Sequence, residues 1–161
     1  MVVRMCMICD GYTQEQRDRW LDLTIRTHGW ALLGVEGDDP EDPMGGWLFT
    51  VGATESHGLP ELIITDFPAQ EAGELLNWAV EYLRDGGTLD GLTSYDIGWQ
   101  PVHDDHLHTD LFFQYADHYR HWPEPGWMIQ LLLEDPNCCA PPVLDWCTNL
   151  ADPHSRPQGY E

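Results

Sequence analysis

The alternation of hydrophobic and polar positions is strongest over residues 46–68, where it predicts a β-hairpin followed by a helix. The first strand ends in a polar loop over residues 54–58, whose final glycine can adopt a positive φ. The second strand follows Pro60, and its residues 62–64 are apolar on both faces. Such a strand is usually central in a sheet and covered on both sides. Pro68 then begins the helix, where its missing N–H costs nothing.

The rest of the chain supplies two further helices and three further strands. Thr13 and Gln16 fit a capping box for a first helix, which Gly29 ends. The remaining predictions are a strand over 30–35, a loop over 88–95, a strand over 98–103, a helix over 109–119 and a strand over 127–133. Because consecutive strands lack intervening helices, we expect an α+β fold: an antiparallel or mixed sheet of about five strands with about three helices packed on it.

The composition indicates a globular protein, since 42% of the residues are hydrophobic and eight are Trp. We expect a single domain over residues 1–161, with an N-terminal Cys-x-x-Cys segment at 1–11 and a loose tail at 150–161. No signal peptide and no membrane-spanning segment are apparent, so we expect a cytoplasmic location with reduced or metal-bound cysteines.

The net charge is extreme: the formal value is −21, and all seven basic residues are Arg. A surface of this charge repels nucleic acid phosphates and anionic membranes, so we expect neither as a direct partner. Two interpretations remain open. The charge either keeps the protein soluble, or it forms an acidic face that meets a basic protein partner or mimics DNA.

Cys6 and Cys9 have the C-x-x-C spacing that lets two thiolates bind one metal ion. A structural zinc needs four ligands, and the others would come from Cys138, Cys139, Cys147 or a histidine. A redox pair is a second interpretation, although it requires the first turn of a helix and these residues precede it. The third interpretation is a local turn without chemistry.

His103, His106 and His108 form the densest group of candidate ligands. Imidazole combined with carboxylate suits zinc, iron or manganese, so these histidines are a second candidate set for zinc or another transition metal. The alternative is a solvated turn that leads into the third helix, with Asp105 or Thr109 as its N-cap.

His57 and Glu61 lie at the tip of the predicted hairpin and at the foot of its second strand. A histidine close to a carboxylate can act as a base with its partner, whereas an exposed tip is the alternative. The histidines at 118 and 121 fit a helix C-terminus, where the dipole favours them. His28 fits a buried or capping position at the end of the first helix.

Several short motifs, taken in order, resemble a bacterial family known as domain of unknown function 4262, frequent in actinobacteria and their phages. The motifs are Cys6-x-x-Cys9-Asp10-Gly11, His28-Gly29-Trp30-Ala31, Gly34-Val35-Glu36-Gly37-Asp38, Phe49-Thr50-Val51-Gly52, His57-Gly58-x-Pro60-Glu61-Leu62 and Ile129-Gln130-Leu131. The resemblance covers about residues 5–146 and implies no activity. It adds weight to the shared positions Cys6, Cys9, Gly52, His57 and Glu61.

Three functions are compatible with these patterns. The first is a small metal-binding protein that uses the cysteine pair or the three histidines; as an enzyme it would catalyse metal-assisted hydrolysis or a redox step, with His57 and Glu61 in support. The second is a non-enzymatic immunity, anti-defence or regulatory factor that binds a basic protein partner through its acidic surface. The third is a ligand-binding domain with a tryptophan-lined pocket. No residue pattern specifies an oligomeric state.

Overall fold

The computed structural model describes residues 11, 13–36, 46–65 and 67–133. The α-helices are α1 (Gln14–His28), α2 (Ala53–His57), α3 (Ala69–Arg84), α4 (Asp104–Leu107) and α5 (Phe113–Tyr119), with 3₁₀ helices at Asp90–Tyr95 and Asp110–Phe112. The strands are β1 (Ala31–Glu36), β2 (Gly46–Val51), β3 (Glu61–Thr65), β4 (Ile97–Pro101) and β5 (Met128–Leu133). The acidic segment that joins β1 to β2, the cysteines and the C-terminal tail lie outside the described residues.

The five strands form one mixed sheet in the order β1-β2-β3-β5-β4. The β3 and β5 strands are parallel, and every other neighbouring pair is antiparallel. The hairpin partner of β3 lies on one side and β5 on the other, so β3 is central in the sheet. The predicted α+β class, with about five strands and three longer helices, is confirmed.

Alternate residues of the strands point into two separate hydrophobic layers, as the period of two requires. On β2, Trp47 and Phe49 pack in one layer with α1 and α5, whereas Leu48 packs in the other with α3. On β3, Ile63 and Leu62 divide in the same way, and both are completely buried. The helices therefore cover both faces of the sheet, as the two apolar faces of β3 predict.

The first helix follows its sequence signals closely. The Thr13 side chain accepts a hydrogen bond from the Gln16 backbone at 3.1 Å, and the Gln16 side chain accepts one from the Thr13 N–H at 2.8 Å. Gly29 ends the helix with φ +94°. The capping box and the glycine stop are both confirmed. His28, however, is exposed in the last turn rather than packed in the core.

Two local predictions were wrong. Residues 54–58 belong to the short helix α2 and its glycine stop rather than to an open loop. Residues 90–95 form a 3₁₀ helix, in which the Thr88 hydroxyl accepts a hydrogen bond from the Gly91 N–H at 3.0 Å. In both segments local hydrogen bonds favour a short helical turn over the loop that the sequence pattern indicates. The predicted helix over 109–119 is confirmed as α5, which a 3₁₀ turn at Asp110–Phe112 precedes.

Candidate functional site

The buried carboxylate of Glu61 closes the junction between β2 and α2. Its side chain is completely buried at the start of β3. The Thr50 hydroxyl donates to Oε1 at 2.9 Å, and the Tyr119 hydroxyl donates to Oε2 at 2.6 Å. The backbone N–H groups that donate are those of Gly52 at 3.1 Å, Ala53 at 3.1 Å and Thr54 at 3.2 Å. Glu61 therefore caps α2 from a neighbouring strand.

Burial raises the pKa of the Glu61 carboxyl above its ordinary value, while the hydrogen bonds from Tyr119, Thr54, Thr50 and Gly52 act in the opposite direction. Burial also raises the pKa of the Tyr119 hydroxyl, and the nearby Glu61 carboxylate adds to that effect. Because Glu61 is enclosed by protein donors, this carboxylate stabilises the fold and has no open side toward a substrate.

His57 does not contact Glu61 through any of the hydrogen bonds found among the described residues. It is exposed at the end of α2, and its ring lies edge-on to Trp30 with the centroids 6.0 Å apart. A Cβ atom on Gly29 would lie 2.8 Å from His57 Nε2, so this ring packs directly against the end of α1. The proposed base and partner are therefore held in different environments, and their catalytic role stays a prediction.

The three clustered histidines point to different environments. His103 is the N-cap of α4, where its Nδ1 accepts a hydrogen bond from the Asp105 N–H at 3.1 Å. His106 is completely buried, and His108 is exposed with its ring 6.2 Å from that of Trp122. The predicted third helix is α5, whose N-cap is Phe112 without a side-chain hydrogen bond, so neither Asp105 nor Thr109 caps it. Within residues 11, 13–36, 46–65 and 67–133, no group of three or more His, Cys, Asp or Glu side chains is arranged to hold a metal ion.

The other predicted metal ligands, Cys6 and Cys9, lie outside the described residues, as do Cys138, Cys139 and Cys147. Metal binding through this pair therefore stays a prediction that rests on the spacing alone.

A histidine–carboxylate pair that the sequence did not indicate joins α5 to α2. His118 Nε2 lies 2.6 Å from Glu55 Oε1, and His118 Nδ1 lies 3.9 Å from Asp22 Oδ1 on α1.

The adjacent surface pocket, of about 190 Å³, contains Asp18, Leu21, Asp22, Asp117, His118 and Arg120. Arg17 is buried and binds both Asp18 and Asp117, at 2.9 and 2.6 Å. The charges in this pocket are therefore largely compensated.

A second pocket, of about 340 Å³, lies on the outer side of α3. The Trp78 and Tyr82 rings are nearly parallel, with their centroids 5.4 Å apart. Tyr95, from the 3₁₀ helix, stands edge-on to both rings at 4.8 and 5.6 Å. Glu81 and Asp85 complete the pocket. We call Trp78, Tyr82 and Tyr95 the aromatic pocket.

Exposed carboxylates run along the same side of α3 as the aromatic pocket. They are Glu71, Glu74, Glu81 and Asp85, and we call them the acidic stripe. Their spacing of three, seven and four residues places them on one helical face together with Trp78 and Tyr82. The opposite face of α3 packs on the sheet through Leu76, Ala79, Val80 and Leu83. The stripe therefore faces outward.

A family model described as Domain of unknown function (DUF4262) matches residues 24–141, which is most of the chain. The chain belongs to this family. Neither the comparison with curated proteins nor that with solved structures found a match. The DUF4262 match includes Glu61, His57 and the aromatic pocket, whereas Cys6 and Cys9 precede it.

Membership in DUF4262 supplies no reaction, so the function has to be argued from the site itself. The i, i+4 spacing of Trp78 and Tyr82 is visible in the sequence, but their pairing with Tyr95 depends on the 3₁₀ helix that we did not predict. Of the helices in the described part of the chain, none is long and apolar enough to cross a membrane.

Proposed function

We propose that this DUF4262 protein is a non-enzymatic interaction protein that binds a basic protein partner through the acidic stripe of α3. The observation that supports this proposal most is a pocket that contains three aromatic rings and the exposed carboxylates of Glu81 and Asp85. Glu71 and Glu74 continue the exposed carboxylates along the same face of α3. Charge complementarity at such a face attracts a cationic partner, and the rings add contact area that charge alone lacks.

The distribution of arginine on α3 also supports this location. Arg84 contributes one positive charge to the helix, and its guanidinium lies 5.9 Å from the centre of the Trp30 ring. Arg84 also contacts Asp85 at 3.1 Å, which leaves Glu71, Glu74 and Glu81 to give the stripe its charge. By contrast, Arg120 lines the pocket between α1 and α5, and Arg17 pairs with two aspartates of that pocket, Asp18 and Asp117.

Like charges at i, i+3 and i, i+4 on a helix repel one another, so the stripe costs helix stability when nothing is bound. The Glu71–Glu74 and Glu81–Asp85 pairs have this spacing. A cationic partner relieves that repulsion, which favours binding at low salt. Nucleic acid and anionic lipid are disfavoured by the same charges.

Binding of a basic peptide tests this proposal. Replacement of three stripe residues (Glu71→Gln, Glu74→Gln and Glu81→Gln) is expected to weaken binding of a lysine hexapeptide about tenfold or more at 50 mM salt, measured by isothermal titration calorimetry. The matched control removes three exposed carboxylates elsewhere: Glu15→Gln, Asp104→Asn and Glu124→Gln. If both triple variants lose affinity equally, only the net charge matters and the stripe is not the site.

Metal binding through Cys6 and Cys9 is the second candidate, and it rests on their spacing alone. About one equivalent of zinc or iron per chain, lost in Cys6→Ala, would support it.

A further inference from the structure

We infer that the aromatic pocket is an arginine-binding site, in which a guanidinium group from the basic partner stacks on the rings and pairs with Glu81. This inference rests on the proposed function, because it names the side chain that the acidic face selects. The ligand class follows from the shape of the pocket, from the chemistry of its walls and from the glycines that support it.

The three rings of the aromatic pocket enclose a corner beside α3. The Trp78 and Tyr82 rings are stacked on each other, with an interplanar angle of 16° and centroids 5.4 Å apart, so each ring keeps one face that the other does not cover. Tyr95 stands at 68° and 73° to them and forms a wall at the side. Two near-parallel rings with a perpendicular third ring form an aromatic corner. A planar cation fits such a corner by stacking on a ring face.

Two carboxylates, those of Glu81 and Asp85, line the pocket beside the rings. Glu81 precedes Tyr82 on α3 and lines the same pocket, while Asp85 lies at the edge already paired with Arg84. A quaternary ammonium group has no N–H to donate to a carboxylate, whereas guanidinium offers a fork of donors. A lysine ammonium can pair with Glu81, but it lacks the planar face that stacks on a ring. Arginine satisfies both features of the pocket.

Two glycines, Gly87 and Gly91, leave room for the Tyr82 side chain. A Cβ atom on Gly87 would collide with this ring, and one on Gly91 would collide with its hydroxyl. Neither glycine has a positive φ, so backbone conformation does not account for them. Tyr95 is 55% exposed although it contacts two other rings, and an exposed aromatic side chain at the mouth of a pocket can stack on a ligand. Tyr82 is therefore held in place, and Tyr95 is available to a partner.

The test compares three hexapeptides that differ at one central position in a lysine background: lysine, arginine, or citrulline, the neutral and planar analogue of arginine. Affinities are measured by isothermal titration calorimetry at 50 and 150 mM salt. We expect the arginine peptide to bind wild-type protein about tenfold more tightly than the all-lysine peptide. The reason is that only guanidinium both stacks on a ring and donates paired hydrogen bonds to a carboxylate. Citrulline keeps the shape without the charge, and we expect its peptide to bind no more tightly than the lysine peptide.

Variants of the wall residue locate the effect. Tyr95→Ala removes the exposed ring and is expected to reduce the arginine preference to about twofold or less, whereas Tyr95→Phe keeps the ring face and retains the preference. Phe113→Ala, at an aromatic residue that is 50% exposed on α5, is the control and leaves the preference unchanged.

The outcomes separate the two proposals. If the lysine peptide binds through the stripe but arginine brings no gain, or if the gain survives Tyr95→Ala, the arginine site is wrong and the basic-partner proposal stands. If no peptide depends on the stripe, the basic-partner proposal fails, and the arginine site fails with it.

Discussion

The Glu61 carboxylate exchanges the water that it loses on folding for five protein donors. Three of them are consecutive backbone N–H groups at the start of α2, which have no partner inside a helix. A lone short helix is marginal in water, so we expect this side chain to stabilise α2. In the structure Glu61 caps the β2–α2 junction, and its role as a base with a histidine partner stays a prediction.

Replacing Glu61 with glutamine is therefore expected to destabilise the protein. The amide retains one acceptor oxygen but directs its NH₂ group at donors, so buried N–H groups lose their partner, at a cost of about 2–3 kcal/mol in the free energy of unfolding. Urea denaturation measures the change. Glu124→Gln, an exposed carboxylate, is the control and is expected to change stability by less than about 0.5 kcal/mol. A change in Glu61→Gln as small as the control's would show that the cap is dispensable.

The difference in stability between wild-type protein and Glu61→Gln is also expected to depend on pH, in a direction that the pKa of Glu61 determines. Because burial raises the pKa of Glu61 above 4.5, the unfolded chain releases this proton at lower pH than the folded protein does. The stabilisation from this group is complete below about pH 4.5 and declines as the pH rises through the higher folded value. The stability of wild type minus that of Glu61→Gln should therefore fall as the pH rises from 4.5. A difference that grows with pH would mean that the five donors outweigh burial.

Sequence alone could identify Glu61 but not its role. Its position next to Pro60 and its charge at the foot of an apolar strand were visible, whereas Thr50 and Tyr119 are 11 and 58 residues away in the chain. The His118–Glu55 pair spans 63 residues and gave no local signal. Long-range polar contacts of this kind depend on the packing of whole elements, and periodicity carries no information about them.

At the scale of elements, the two positions that flank α2 require glycine for different physical reasons. Gly52 has φ +110°, and a Cβ atom there would lie 2.8 Å from the Ile25 side chain. Gly58 has φ +68°, and a Cβ atom there would meet nothing within 4 Å. Both require a left-handed backbone, but only Gly52 also lies against another helix.

These glycines make a matched pair of substitutions. Gly52→Ala combines backbone strain with a collision against α1 and is expected to cost about 2–4 kcal/mol. Gly58→Ala involves backbone strain alone and is expected to cost about 1 kcal/mol. Thermal or urea denaturation of both variants measures the difference. Equal losses would show that Ile25 moves aside and that the contact between α1 and α2 is loose.

The long elements were predictable because burial imposes one period along their whole length. Such repeated signals predicted the apolar stripe of α3 and the strand β3, which is apolar on both faces. The capping box of α1 was a further local signal. The short helical turns were missed because four to six residues carry too little periodicity, and local side-chain hydrogen bonds such as those of Thr88 and His103 support them. The aromatic pocket depends on one of these turns, so the sequence could indicate two of its rings but not the third.

At the scale of the whole molecule, the net charge of −21 does not by itself define a binding site. Our proposal rests instead on the arrangement of the charges: the pocket between α1 and α5 contains Arg120 among its aspartates, whereas the stripe on α3 has aromatic rings beside its carboxylates. Solubility requires only the total charge, whereas recognition of a partner requires a local pattern of charge and shape.

The most direct test of this account maps where a basic peptide binds. Amide and indole signals of ¹⁵N-labelled protein are followed by NMR while an arginine-containing lysine hexapeptide is added. The account predicts that the largest shifts fall on residues 71–85 and on Tyr95, with the Trp78 indole among them, and that they shrink as salt is raised. Shifts centred instead on α1 and α5, around Asp18 and Asp117, would contradict it.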